Sequence, residues 1–236
     1  MKPSSIIFLI RAYNEATRIT KVIDSILSAG YDQILVVDDG STDGTEELLS
    51  DLIQKEKIHF VRHGTNRGAG AALETGFAYI RATHTRYHWK YLVTFDADGQ
   101  HDIKDMEYFI WAFTKDESLD IVLGSRFIRK TRTNVPFVRR LILFGGRIFT
   151  SLISWVHLTD AHNGYRMFKV ATLSKIHITM DGMEYASELI DEIGKYKFRF
   201  KEVPVNIHYD EYTLWKWQRY GGALRIVARI IAKKFF

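Results

Sequence analysis

The chain has no cysteine, which excludes a disulfide framework and any thiolate zinc site and fits a reducing compartment. No apolar run approaches the ~18 residues of a bilayer-spanning helix. Met1-Lys2-Pro3-Ser4-Ser5 enters a strand-like run at once and carries no small-residue cleavage site, so a cytoplasmic protein keeping its own start is expected. Internal repeats, low-complexity tracts and Pro/Gly-rich linkers are missing. So are the Lys-Ser/Thr of a P-loop and the full G-x-G-x-x-G spacing, which ranks kinase-type and dinucleotide readings low. Carboxylates are absent from two whole stretches, Arg126 to Arg147 and Leu214 to Phe236.

What is present is a globular composition: 236 residues, 46% hydrophobic and 26% charged. That length suits one large domain, or a domain with an appendage. The net charge of +5 matters less than its distribution. Arg126, Arg129, Lys130, Arg132, Arg139, Arg140 and Arg147 form one basic cluster, and the last segment forms another. Both are interleaved with large apolar side chains, a surface suited to nucleic acid or to an anionic membrane.

Ile6–Ile10, Ile34–Val37, Ile58–Val61, Tyr91–Phe95 and Ile121–Leu123 read as short buried strands. Between them, 16–29 carries apolar residues at helical spacing with Gly30 at the C-cap. Ser41 or Thr42 is placed to cap a helix through Leu48, Leu49 and Leu52, and a further helix is expected from about Gly70 to Ala82. Strands alternating with helices imply βαβ units and a mostly parallel sheet.

Chemistry gathers where these strands end. Asp96-Ala97-Asp98-Gly99-Gln100-His101 follows the fourth strand, and two spaced carboxylates with an amide are hard oxygen ligands for Mg²⁺ or Mn²⁺. Asp38-Asp39-Gly40-Ser41 follows the second strand; a carboxylate there either bonds a nucleobase or ribose, or caps the next helix. Arg11-Ala12-Tyr13-Asn14-Glu15 adds an aromatic face and an acid, or a turn in which Asn14 caps a helix. Asn66-Arg67-Gly68-Ala69-Gly70 opens a helix with small residues, whose N–H groups would face an anion.

Together these motifs resemble family 2 glycosyltransferases with the GT-A, nucleotide-diphospho-sugar transferase fold. The likeness is to the branch of dolichol-phosphate mannose synthase and polyprenyl-phosphate glycosyltransferases, with Gly124-Ser125-Arg126-Phe127 completing the set. The resemblance implies an α/β fold whose mostly parallel sheet is flanked by helices. It implies that Asp39 reads the base beside Tyr13 and Glu15, with Ala12, Gly68 and Ala97 in the same nucleotide-sugar pocket. Asp96, Asp98 and Gln100 would hold the metal on the donor diphosphate. Arg126 would lie between donor and acceptor phosphates, with Asp160 as base or orienter.

Asp160-Ala161-His162-Asn163-Gly164-Tyr165-Arg166 resembles the family's acceptor-side segment, alternatively a turn in which Asp160 pairs with Arg166. Glu202-Val203-Pro204-Val205, followed by His208-Tyr209, resembles the family's acceptor loop, and Arg166, Lys216 and Arg219 are candidate contacts for an acceptor phosphate. Two departures, Arg11 and Ile103, stand where the family has other residues; neither is expected to touch a ligand.

The expected layout is a domain over 1–212, with a donor half to about 130 and an acceptor half beyond it. A basic amphipathic helix over 213–236 follows. That helix and Val135–Val156 suit the headgroup plane of an anionic membrane. The resemblance thus implies an inverting, metal-dependent transfer from a UDP- or GDP-type sugar to a polyprenyl phosphate at the cytoplasmic face, without nucleic acid. A sugar-hydroxyl acceptor and a silent nucleotide-binding protein are the alternatives.

Overall fold

The computed structural model describes residues 1–128, 137–209 and 230. A seven-stranded sheet runs in the order β3-β2-β1-β4-β6-β5-β7. Its strands are β1 (Ile6–Ala12), β2 (Ile34–Asp38), β3 (His59–Arg62), β4 (Tyr91–Asp96), β5 (Ile121–Ser125), β6 (Arg166–Lys169) and β7 (Phe200–Pro204). The helices are α1 (Ile19–Ser28), α2 (Thr45–Gln54), α3 (Ala69–Tyr87), α4 (Met106–Lys115), α5 (Phe137–Ser154) and α6 (Tyr185–Lys195). Pairing is parallel except around β6, which runs antiparallel to both β4 and β5. The five expected strands are all present and the sheet is mostly parallel.

The unbroken apolar runs follow from burial on both faces. Ile6, Phe8 and Ile10 of β1 pack with α1 and α4, while Ile7 and Leu9 pack with α3 and α6. The same alternation sets Arg11 and Asp96 on the α3/α6 face of adjacent strands, as register partners.

Local chemistry moves several boundaries. Residues 16–18 form turns, and α1 starts at Ile19. Neither Ser41 nor Thr42 caps α2: Gly44 holds the N-cap with φ 87°, Asp43 takes the Thr45 N–H, and the Ser41 hydroxyl donates to Asp38. Helix α3 runs on to Tyr87, where His88 ends it in the left-handed region.

Candidate active site

The carboxyl ends of β1 and β4 bring the first cluster together. Arg11 donates from Nη2 to Asp96 Oδ1 at 2.5 Å, and His101 Nε2 meets Asp96 Oδ2 at 3.0 Å. Burial alone would raise the Asp96 carboxyl; Arg11 and His101 outweigh it and hold the group well below the usual carboxylate range. Arg11 therefore touches a candidate ligand, contrary to the sequence expectation. Periodicity could not show this, because the contact is set by strand register.

Asp98 is in the opposite state. Burial and the neighbouring charge of Asp96 push its carboxyl up to about 6, with Glu15 adding to the effect. Its Oδ1 accepts the Gln100 N–H at 3.1 Å across a turn in which Gly99 has φ 75°. Among the described residues no group of three or more His, Cys, Asp or Glu gathers around a metal position. Asp96, Asp98 and Gln100 offer carboxylate and amide oxygens within one short turn, with the Asp96 charge already met by Arg11. That fits Mg²⁺ or Mn²⁺, which take remaining oxygens from substrate phosphates and water. Ile103 packs partly buried against the core and adds nothing to this set.

The end of β2 is tied to the glycine turn. Buried Asp38 accepts the Ser41 N–H at 3.1 Å and lies 3.4 Å from Arg62. Asp39 bonds His63 Nδ1 at 2.6 Å and accepts the N–H groups of Arg67 and Gly68 at 2.9 and 2.7 Å. The Asp181 carbonyl takes the N–H groups of Gly70 and Ala71 at 2.7 and 3.2 Å. The N–H groups of 67, 68, 70 and 71 are therefore engaged by the protein instead of facing an anion. Gly68 is required here: its φ is 109°, and a Cβ would collide with the Asp181 carbonyl.

Tyr13 is half-buried and Glu15 buried beside this turn. Asn14 donates its N–H to Ser41 Oγ and accepts the Thr42 N–H, both at 2.9 Å. Asp38, Asp39 and Asn14 thus bind loops together and cap no helix. Ala12 and Ala97 are buried at the same edge.

Further along the edge, Asp160 pairs with Arg126 and not with Arg166. It accepts from Arg126 Nε at 2.6 Å, Nη2 at 2.7 Å and the backbone N–H at 3.0 Å. Arg126 Nη1 donates to the Tyr209 hydroxyl at 2.7 Å. Burial would raise the Asp160 carboxyl, but Arg126 outweighs it and holds it low. Glu202 of β7 fixes this turn by accepting the N–H groups of Thr159 and Asp160 and the Thr159 hydroxyl, at 2.9–3.1 Å.

Arg166, in β6, is also buried; it donates to the Ala161 carbonyl at 3.0 Å, and burial lowers its affinity for a proton. Burial likewise holds His162 down at about 4. Lys216 and Arg219, with the rest of the expected C-terminal helix except buried Ile230, lie outside the described residues.

Helix α5 contributes to two cavities near this region. Phe127, Arg140, Leu143, Phe144, Arg147 and Thr159 line a cavity of about 210 Å³ beside the Arg126–Asp160 pair. A second cavity of about 500 Å³ is bounded by Arg147, Ile148, Ser151, Trp155, His157 and Leu158. Phe144, Ile148 and Trp155 are 52%, 43% and 88% exposed. Among the described residues, no helix is long and apolar enough to cross a membrane.

Asp181 had no signal in the sequence, and Arg11, His101 and Tyr209 stood inside motifs with no role of their own expected of them. Glu202 had a signal, in the Glu-Val-Pro-Val segment.

The family model for "Glycosyl transferase family 2" matches residues 7–176. An uncharacterised protein of Methanocaldococcus jannaschii is 34% identical over 98% of this chain and 93% of its own. The UDP-N-acetylglucosamine–dolichyl-phosphate N-acetylglucosaminyltransferase of Methanococcus voltae is 29% identical over 99% of this chain and 98% of its own. In fold, the chain is similar to glucosyl-3-phosphoglycerate synthase of Mycobacterium tuberculosis, solved with Mn²⁺, UDP and phosphoglyceric acid. The TM-score is 0.69 at 17% identity, over 97% of this chain and 78% of that one.

Proposed function

The chain belongs to glycosyltransferase family 2, and on that premise we propose that it moves a sugar, with inversion, from a nucleotide diphosphate to a polyprenyl phosphate. The observation that carries the acceptor is the cavity lined by Arg140, Phe144 and Arg147 together with Phe127 and Thr159, the chain neighbours of Arg126 and Asp160. Cations and aromatic or aliphatic walls in one recess suit a phosphate on an isoprenoid chain. The printed name of the methanogen relative supports a UDP-type donor and a dolichyl-phosphate acceptor. The Mn²⁺ and UDP in the mycobacterial structure support a divalent cofactor.

Asp96, Asp98 and Gln100 would hold the metal, which offsets negative charge on the departing nucleoside diphosphate. Tyr13, Glu15 and Asp39, with Ala12, Gly68 and Ala97, line the nucleotide pocket. Asp39 uses three of its roughly four acceptor directions internally, leaving one for a base N–H. Arg126 brings a guanidinium charge toward phosphate oxygens from within its buried pairing with Asp160 and Tyr209. Asp160 is its orienter: with both oxygens committed and its carboxyl held low, it is a poor proton acceptor. An acceptor phosphate needs none, because its oxygen is already anionic near neutral pH. Arg166 supplies further positive charge from β6.

The exposed Phe144, Ile148 and Trp155 beside Arg140 and Arg147 support peripheral attachment at an anionic cytoplasmic membrane face. The segment over 213–236 belongs to the same proposal.

The test incubates purified protein with Mn²⁺, polyprenyl phosphate and a panel of nucleotide sugars. A lipid product that releases sugar in mild acid supports the phosphodiester. An acid-resistant glycoside, or transfer only to sugar hydroxyls, refutes the lipid-phosphate acceptor.

A further inference from the structure

Arg11 sits one strand away from the candidate metal turn, on β1, as the register partner of Asp96. Its side chain is only 10% exposed. The guanidinium holds Asp96 Oδ1 at 2.5 Å while His101 holds Oδ2 at 3.0 Å. From the other side, the Tyr185 ring lies 4.8 Å from the guanidinium carbon, and the Ala69 carbonyl accepts from Nη1 at 3.4 Å. These contacts come from β4, α3 and α6, so the cation is gripped from three elements.

A fixed positive charge therefore already occupies the first carboxylate of the expected metal pair. A divalent ion approaching Asp96 meets a like charge at close range, in surroundings less screening than water. Both Asp96 oxygens also have partners to give up. Asp98 and Gln100 alone make a sparse site for an ion that prefers six oxygens, whereas a diphosphate adds both oxygens and negative charge.

We propose that Arg11 is a resident counter-ion that keeps the divalent cation off the nucleotide-free protein, so that metal and nucleotide diphosphate enter together. The proposal rests on the metal site described above and makes Arg11 a positioning residue, not a catalytic one.

Mn²⁺ binding to the full chain, read from the loss of the free-ion electron paramagnetic resonance signal, tests it with and without UDP. Wild type should bind Mn²⁺ weakly alone. Arg11→Gln, which removes the charge but keeps amide donors, should bind nucleotide-free Mn²⁺ about tenfold or more tightly than wild type, a difference of about 1.4 kcal/mol. Damage to the site lowers affinity, so a gain is diagnostic of lost competition.

A folded Arg11→Gln with unchanged or weaker Mn²⁺ affinity overturns the proposal. So does a nucleotide-free wild type that binds Mn²⁺ as tightly as the UDP-loaded protein, a comparison that needs no variant. Adding Asp98→Asn to Arg11→Gln should abolish the gain. If Mn²⁺ still binds tightly, the metal site itself is misplaced and the proposal falls with it.

Discussion

Asp160→Asn is the substitution that bears most directly on the buried pair holding Arg126. The carboxylate accepts two guanidinium hydrogen bonds at 2.6 and 2.7 Å and one backbone N–H at 3.0 Å, with both partners buried. Asparagine keeps one oxygen but turns an amide group toward the cation and leaves Arg126 without its counter-charge. Breaking one side of a buried pair costs about 3–5 kcal/mol. The Tyr209 hydroxyl at 2.7 Å remains on Nη1, so the lower end, about 3 kcal/mol, is expected.

That is a large share of the 5–15 kcal/mol typical of a domain. Urea unfolding at pH 7 measures it. Because Asp160 titrates lower in the folded protein than in the unfolded chain, its contribution is complete above the unfolded value of about 3.9. It is lost as the pH falls through the folded value. The gap between wild type and variant should therefore narrow below about pH 4. A loss under about 1 kcal/mol at pH 7, or a gap independent of pH, would refute the reasoning.

Other outcomes follow from the same geometry. In metal-free protein, Asp98→Asn should stabilise by on the order of 1–2 kcal/mol at pH 7.5, because the raised Asp98 carboxyl is a liability that grows as the pH rises from the unfolded value through about 6. The same variant should lose metal-dependent transfer, and a melting curve at pH 5 and 7.5 with chelator separates the two effects. Gly68→Ala should destabilise by roughly 2 kcal/mol or more, since both its positive φ and the Asp181 carbonyl oppose a side chain; unchanged urea unfolding would contradict this. Phe144→Ala combined with Trp155→Ala should leave the melting temperature nearly unchanged and weaken co-sedimentation with anionic liposomes by about tenfold or more; equal sedimentation would show that this face does not meet lipid.

Much of the first half was legible because it is written locally. Most strands of the first half are short apolar runs, and each motif follows a strand closely, so all four gather at one sheet edge although the sheet order β3-β2-β1-β4 differs from the chain order. The later elements carry weaker signals. Strand β6 is only Arg166–Lys169, with two basic residues, and its place between β4 and β5 depends on pairing across more than seventy residues. Helix α4 is nearly continuous in apolar and aromatic residues, and periodicity alone did not mark it. The partner choices of charged groups were least legible of all. Arg11 with Asp96, and Arg126 with Asp160, are fixed by strand register and by the Glu202 clamp, which no local pattern encodes.

The reversed strand β6 has a consequence for how the chain comes off the ribosome. Strands β3, β2, β1 and β4 are contiguous in the sheet and complete by residue 96, but β4 and β5 never pair with each other. Until β6 emerges, the outer edge of β4 is an open row of backbone donors and acceptors, flanked by apolar faces. A nascent or truncated chain ending near residue 130 therefore presents an unfinished sheet prone to mispairing with a neighbour. Although the strand-end motifs of the first half are confined to those residues, they do not delimit a self-sufficient folding unit. Thr94 pairing with Arg166 is among the contacts that close the edge and seat a buried cation at the same moment.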